Sequence, residues 1–108
     1  MKAQPIRLES GGYIPCEAGD ATHVRLNVPG PYPNRIIPVI LKGTRDGTGC
    51  WSWNGDVDAP TLKPSVLTRG GDGMPTCHSF VNNGRIQFLG DCTHEFVGQT
   101  LDLLEVEE

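Results

Sequence analysis

The fold is decided by the stretch TCHSFVNNGRIQFL, which runs from Thr76 to Leu89. Its centre is Asn83-Gly84, and Asn-Gly is the dipeptide that best tolerates the positive φ angles of a two-residue hairpin turn. Residues 76–81 and 85–89 flank this dipeptide as two extended segments. The sequence therefore predicts a β-hairpin here, and this hairpin anchors the interpretation of the other segments.

The hairpin register determines which side chains can meet. Residues directly opposite each other in an antiparallel pair share a face of the sheet, and successive residues alternate between faces. Cys77 therefore lies on one face, and a continued second strand adds Cys92 and His94 to that face. His78 falls on the other face, together with Asp91.

The rest of the chain is predicted to form short strands joined by turns. A high content of turn-forming residues, 14 Gly and 9 Pro, favours extended segments over long helices, and 108 residues can bury one core but not two. Val24, Leu26 and Val28 alternate with polar residues, which places His23 on a polar face. Prolines in residues 59–67 indicate an edge strand. The further predicted strands are residues 5–10, 22–28, 35–41, 50–53 and 99–106.

These patterns predict an all-β protein, a small single-domain sandwich or open barrel of short antiparallel strands spanning residues 1–108. Its formal charge is −4, and its nine basic residues are scattered, which argues against broad nucleic-acid binding. No apolar run is long enough to cross a membrane, and the first residues do not form a signal core. We therefore expect a soluble, cytoplasmic protein with reduced cysteines.

Two cysteines and two histidines cluster around the hairpin and suggest a zinc site formed by Cys77, His78, Cys92 and His94. Zinc takes four ligands from Cys, His and carboxylate side chains, and Cys77, Cys92 and His94 lie on one predicted face. His78 completes the set if the strand bends; otherwise Cys50 or Cys16 would supply the fourth ligand. Two alternatives remain open: buried, metal-free thiols with hydrogen-bonded histidines, and a disulfide between Cys77 and Cys92.

Three other motifs are weaker candidates. The turn Asn54-Gly55-Asp56-Val57-Asp58 carries two carboxylates that suit a cation or a general base, but this composition is more typical of a turn alone. The glycine-rich loop at residues 70–73 precedes a strand rather than a helix, so it does not match a phosphate-binding loop. Ser65 and Ser79 lack the spacing of a nucleophile elbow and are interpreted as ordinary polar residues.

An ordered set of motifs, spread over residues 50–103, resembles a family of small phage and prophage proteins that form a domain of unknown function. The motifs are WSWNGD at 51–56, PT at 60–61, PS at 64–65, CHSF at 77–80, GRIQFL at 84–89, DCTH at 91–94 and GQT at 98–100. The resemblance implies a viral or mobile-element origin. In that family a Cys-Pro-Gly-Cys segment often precedes the tryptophan motif, whereas this chain has Val28-Pro29-Gly30-Pro31 at the corresponding place.

The resulting functional hypothesis is a non-catalytic, metal-stabilised domain that binds a protein partner, such as a host protein, through the loops at residues 29–34 or 69–75. Metal binding would contribute directly to folding in so small a domain. The alternative is a small zinc-dependent hydrolase in which three ligands leave a position for water and Asp91 or His78 moves protons. A metal-free domain used in assembly or against host defence is the third hypothesis.

Overall fold

The described part of the chain, residues 1–41, 50–69 and 72–106 of this computed structural model, consists almost entirely of β-strands. A 3₁₀ turn covers Ala18–Asp20. The strands are β1 (Ala3–Glu9), β2 (Gly12–Pro15), β3 (His23–Asn27), β4 (Asn34–Leu41), β5 (Trp51–Trp53), β6 (Leu62–Arg69), β7 (Thr76–Asn82), β8 (Arg85–Phe88) and β9 (Thr100–Asp102). The polar connection at residues 42–49, and Gly70 and Gly71 of the glycine-rich loop, lie outside the described residues. Across the described ranges, no helix is long and apolar enough to span a membrane.

The strands form one sheet in the order β2-β1-β3-β4-β5-β6-β7-β8-β9, which confirms the predicted all-β class. Every neighbouring pair is antiparallel except β4 and β5, which run parallel. The sheet curls, because Leu104, just after β9, forms a bridge with Asn27 at the end of β3. The curl encloses one core without a closed ring of strands, since β2 and β9 remain the two ends of the sheet order.

The core forms on the concave side of this sheet from alternate residues of most strands. Trp53 and Phe88 are its largest fully buried side chains, and Trp51 packs against it while remaining partly exposed. Val24 and Leu26 are buried between half-exposed polar neighbours, as their alternation predicts. Burial of this apolar surface is the main driving force for folding, at about 25 cal/mol for each Å² removed from water.

The predicted hairpin is confirmed in both position and register. Val81 lies opposite Ile86 and Asn82 lies opposite Arg85, so the turn is formed by Asn83 and Gly84. Both turn residues have positive φ angles, 52° and 78°. The face assignment that followed from this register therefore holds along β7 and β8.

Strand β6 differs from its prediction as an edge strand. It lies in the interior of the sheet, between β5 and β7. Leu62 is paired with Val81 and Val66 with Ser79. Residues 63–65 of β6 therefore lie opposite Phe80 of β7 alone and form a β-bulge. Pro64 has no N–H to donate, and the bulge tolerates it because these residues leave the regular ladder. The bulge also contains Ser65, the residue after Pro64, which is central to the site described next.

Candidate active site

Three polar side chains from three different elements meet on the outer face of β6 and β7. Ser65 comes from the β6 bulge, His78 from the middle of β7, and Asp91 from the turn after β8. Ser65 Oγ lies 2.9 Å from His78 Nε2. His78 Nδ1 lies 2.9 Å from one carboxylate oxygen of Asp91 and 3.1 Å from the other. The three residues therefore form a continuous chain of hydrogen bonds.

The direction of these hydrogen bonds follows from the chemistry of the groups. An ionised carboxylate only accepts hydrogen bonds, so His78 Nδ1 carries the proton that it donates to Asp91. In a neutral imidazole the other nitrogen is then an acceptor, so the Ser65 hydroxyl donates to His78 Nε2. This tautomer leaves His78 positioned to remove the hydroxyl proton from Ser65.

Local structure explains why the three side chains converge. His78 points outward because its neighbours on β7, Cys77 and Ser79, are buried in the core and side chains alternate along a strand. The β6 bulge brings Ser65 opposite this part of β7. The indole N–H of Trp51 donates to the Ser65 carbonyl at 3.2 Å, which ties the bulge to β5.

The thiol of Cys92 holds the backbone of His78 in place. The His78 N–H donates to Cys92 Sγ at 3.2 Å, and the Cys92 thiol donates to the His78 carbonyl at 3.1 Å. The same turn is attached to β7 a second time, because the Thr93 N–H donates to the Thr76 carbonyl at 3.0 Å. Asp91 therefore belongs to a segment that is fixed against the strand that carries His78.

The site is open to solvent. Ser65 is half-buried, the His78 side chain is 24% exposed, and the Asp91 side chain is 58% exposed. A substrate can therefore approach Ser65 from the convex side of the sheet. The exposure of Asp91 also means that water screens its charge more than it would screen a buried carboxylate.

The four predicted zinc ligands are divided between the core and the surface. Cys77 and Cys92 are buried, and burial raises the pKa of the Cys77 thiol despite the opposing effect of Arg35. His94 packs edge-on against Phe88, with its Nε2 buried and without a hydrogen-bond partner among the described residues.

His78 directs its two ring nitrogens to Ser65 and Asp91, so neither is free for a metal. Within the described ranges, no group of three or more His, Cys, Asp or Glu side chains is arranged to hold a metal ion. Zinc binding by these residues stays a prediction, which metal analysis of the purified protein would check.

The acidic turn after β5 is a structural motif. One oxygen of Asp56 accepts hydrogen bonds from the N–H groups of Asp58 and Ala59, at 2.9 and 3.0 Å. These two bonds hold the pKa of the Asp56 carboxyl below its usual value, because they stabilise the charged form. Asn54 similarly accepts from Thr61 N–H across the turn. The carboxylate is thus occupied in shaping the turn.

Sequence reasoning found two members of the hydrogen-bonded chain and missed the third. The hairpin register placed His78 and Asp91 on one face, and the structure confirms this juxtaposition. Ser65 was interpreted as an ordinary polar residue, because its position depends on the β6 bulge rather than on sequence spacing. The available indication was the Pro64-Ser65 pair, since a proline inside a central strand requires an irregularity there.

A Ser–His–Asp hydrogen-bond chain at an accessible surface is the arrangement that defines serine hydrolases, whatever fold carries it. The protein belongs to the BubE family, described as bacterial ubiquitination-like system serine protease, whose family model matches residues 13–89. Ser65 and His78 lie inside the matched region, and Asp91 lies just beyond it. No curated protein and no solved structure matches the chain.

Family membership corrects the functional hypothesis drawn from the sequence. A non-catalytic, metal-stabilised binding protein is wrong, because the matching family is one of serine proteases. The zinc-dependent hydrolase alternative is wrong for the same reason, because the family is described by serine protease chemistry. The prediction that the chain belongs to a family of small domains is confirmed, whereas the phage origin stays a prediction.

Proposed function

We propose that the protein is a serine protease in which Ser65 is the nucleophile, His78 the general base and Asp91 the residue that orients His78. The observation that carries the proposal is the unbroken chain of short hydrogen bonds from Ser65 through His78 to Asp91. Membership of a serine protease family supports it independently. The same three side chains recur on unrelated folds, so a mainly antiparallel sheet is no obstacle.

The geometry accounts for formation of the acyl-enzyme. Ser65 Oγ attacks the carbonyl carbon of the scissile amide while His78 Nε2 takes the hydroxyl proton. Asp91 stabilises the imidazolium that forms. His78 then gives the proton to the amide nitrogen, the C–N bond breaks, and the amine leaves. The acyl group stays bonded to Ser65 Oγ as an ester.

Hydrolysis of the acyl-enzyme uses the same residues, with water as the attacking group and Ser65 Oγ as the leaving group. A water molecule enters from the open face of the sheet and donates a proton to His78 Nε2 as its oxygen attacks the ester carbonyl. His78 returns this proton to Ser65 Oγ when the ester bond breaks. The carboxylic acid product leaves and the starting hydrogen-bond chain is restored.

The family description supports a proposal about the class of protein substrate. Its members are serine proteases of bacterial ubiquitination-like systems, and we propose that this chain cleaves an amide bond in a protein of such a system. Ser65 lies on an open sheet surface rather than at the bottom of a deep cleft, which suits a bond within a flexible, extended segment of a protein substrate.

A fluorophosphonate probe tests the proposed nucleophile directly, because it forms a covalent adduct only with an activated serine. We expect the wild-type protein to be labelled at Ser65, as located by peptide mass spectrometry. Ser65→Ala and His78→Ala should abolish labelling, while Ser10→Ala, a change at a serine exposed in the turn between β1 and β2, should label normally. Absence of labelling in the wild type, or a modified residue other than Ser65, would overturn the proposal.

A further inference from the structure

A groove adjoins the Ser–His–Asp site on the outer face of β6, β7 and β8. Its volume is about 610 Å³, and its lining combines the exposed apolar side chains of Pro64 and Phe80 with polar residues Thr61, Asn82 and Gln87. Leu62 also borders it, although the Leu62 side chain is buried in the core. Among the described residues that line it, Lys63 alone is charged. The groove is therefore mainly apolar, with one positive charge at its edge.

The groove lies next to the Ser–His–Asp site. Pro64 directly precedes Ser65, and Phe80 lies two residues beyond His78 on the same face of β7. Strand geometry puts side chains two residues apart at about 7 Å from each other. A substrate peptide that places its scissile carbonyl carbon at Ser65 Oγ and runs along β7 therefore passes over Phe80.

Phe80 is unusually exposed for an aromatic side chain in a central strand. It is 43% exposed, and its cross-strand neighbour is Gln87 rather than a second apolar residue. A smaller depression of about 300 Å³ continues the groove over β5 through Thr61 and Lys63 to Ser52 and Asn54. The two depressions share Thr61 and Lys63 and together extend across β5 to β8, with Pro64, the residue before Ser65, at one side.

We propose that this groove binds the substrate polypeptide next to the scissile bond and selects a bulky apolar side chain there. An extended peptide rises about 3.3 Å per residue, so the side chain that contacts Phe80 and Pro64 belongs to a residue about two positions from the scissile bond. Lys63 disfavours a basic residue at the neighbouring position and favours an acidic one. This inference rests on the proposed protease function and adds the substrate class to it.

The test profiles cleavage of a proteome-derived peptide library by mass spectrometry. The wild type should prefer Leu, Ile, Met or Phe about two residues from the cleaved bond. Phe80→Ala should remove this preference and lower kcat/KM for the best peptide by about tenfold, whereas Phe80→Leu should retain most of both. Lys63→Glu should shift the charge preference toward basic residues.

Two controls separate the groove from the catalytic residues. The rate of fluorophosphonate labelling should be unchanged in Phe80→Ala, because the small probe needs only Ser65 and His78. Ile36→Ala removes an apolar side chain of similar exposure, 42%, from a strand that does not line the groove, and it should leave the peptide profile unchanged.

The outcomes distinguish failure of the groove from failure of the protease function. A wild type that reacts with the probe but cleaves no peptide overturns the groove as a peptide site. So does a side-chain preference that survives Phe80→Ala. A wild type that does not react with the probe overturns the protease function, and this inference falls with it.

Discussion

Asp91 orients the ring of His78 from a solvent-exposed position. Asp91→Asn should lower kcat by about 10²- to 10⁴-fold, because an amide can present its N–H₂ group to Nδ1 and so favour the wrong tautomer of His78. Steady-state peptide hydrolysis measures the effect. Asp102→Asn is a matched control, since Asp102 is another exposed carboxylate, paired with Arg85, on neighbouring β9. Equal kcat values for the wild type and Asp91→Asn would remove Asp91 from the mechanism.

In the proposed mechanism Cys92 is a positioning residue, because its thiol holds the backbone of His78. Cys92→Val removes both hydrogen bonds to that backbone and leaves a nearly isosteric apolar group. It should lower the free energy of unfolding by about 1–2 kcal/mol, and we expect about a fivefold to tenfold loss of kcat from a less fixed His78.

The conservative variant of Cys92 distinguishes positioning from packing. Cys92→Ser keeps a group that both donates and accepts, so it should retain most of the kcat that Cys92→Val loses. Urea unfolding and peptide hydrolysis together provide the comparison. Equal kcat values for the two variants would show that the thiol merely fills space.

At the residue level, the sequence predicts the pairing of His78 with Asp91 but not the approach of Ser65. The first depends on a two-residue turn whose register is determined by Asn83-Gly84. The approach of Ser65 depends on how many residues of β6 fall outside the regular pairing with β7. Packing of β6 against both β5 and β7 determines that number. Local propensity cannot supply it, since the same prolines are equally compatible with an edge strand.

The turn of the β7–β8 hairpin is also a packing contact. Gly84 has a φ of +78°, and a Cβ atom on it would lie 3.2 Å from both Ala59 Cα and the Asp58 carbonyl oxygen. Gly84→Ala should therefore lower the free energy of unfolding by about 2–4 kcal/mol, from unfavourable backbone angles plus a clash with backbone atoms that cannot easily move. Urea denaturation measures this loss.

Gly73 supplies the matched control for this element. Its φ is +79°, but an added Cβ would meet nothing within 4 Å. Gly73→Ala should cost only the backbone term, about 1–2 kcal/mol. The difference between the two variants isolates the contact between the hairpin turn and residues 58–59, and two equal losses would contradict that contact.

At the scale of the whole molecule, the pattern of apolar residues predicts strands but not their order. Alternation identified β3 and the Asn83-Gly84 turn identified β7 and β8, whereas the parallel pairing of β4 with β5 and the return of Leu104 to Asn27 are long-range contacts with no local indication. Such contacts arise because the curled sheet must cover Trp53 and Phe88 on one side. The all-β class was therefore predictable, and the curl that shapes the outer face was not.

Overall stability should depend on pH through His23. Burial lowers the pKa of His23 below its ordinary value of 6.5, and its ring packs edge-on against Tyr13 with centroids 5.0 Å apart. The folded protein thus favours neutral His23, while the unfolded chain binds a proton near pH 6.5. The stability that neutral His23 contributes is fully present above pH 6.5 and is lost as the pH falls through the lower pKa of His23 in the folded protein.

Thermal unfolding measured from pH 7.5 to pH 5 tests this dependence. We expect the wild-type Tm to decrease over this range, and His23→Gln to reduce the size of the decrease. The comparison uses the change in Tm with pH, not its absolute value, because the substitution also removes a hydrogen bond with Thr22. Parallel pH profiles for the two proteins would rule out His23 as the titrating group.

The three side chains of the proposed catalytic site all come from one contiguous meander, β6 to the turn after β8. The first half of the chain contacts this meander through Trp51 on β5 and through Tyr32 in the β3–β4 loop, whose hydroxyl donates to the Pro75 carbonyl. Insertions or new chain ends at the exposed β1–β2 turn, at the far end of the sheet order, would therefore leave Ser65, His78 and Asp91 in register. Recognition of different partners can therefore change at this end of the sheet without disturbing the proposed cleavage site.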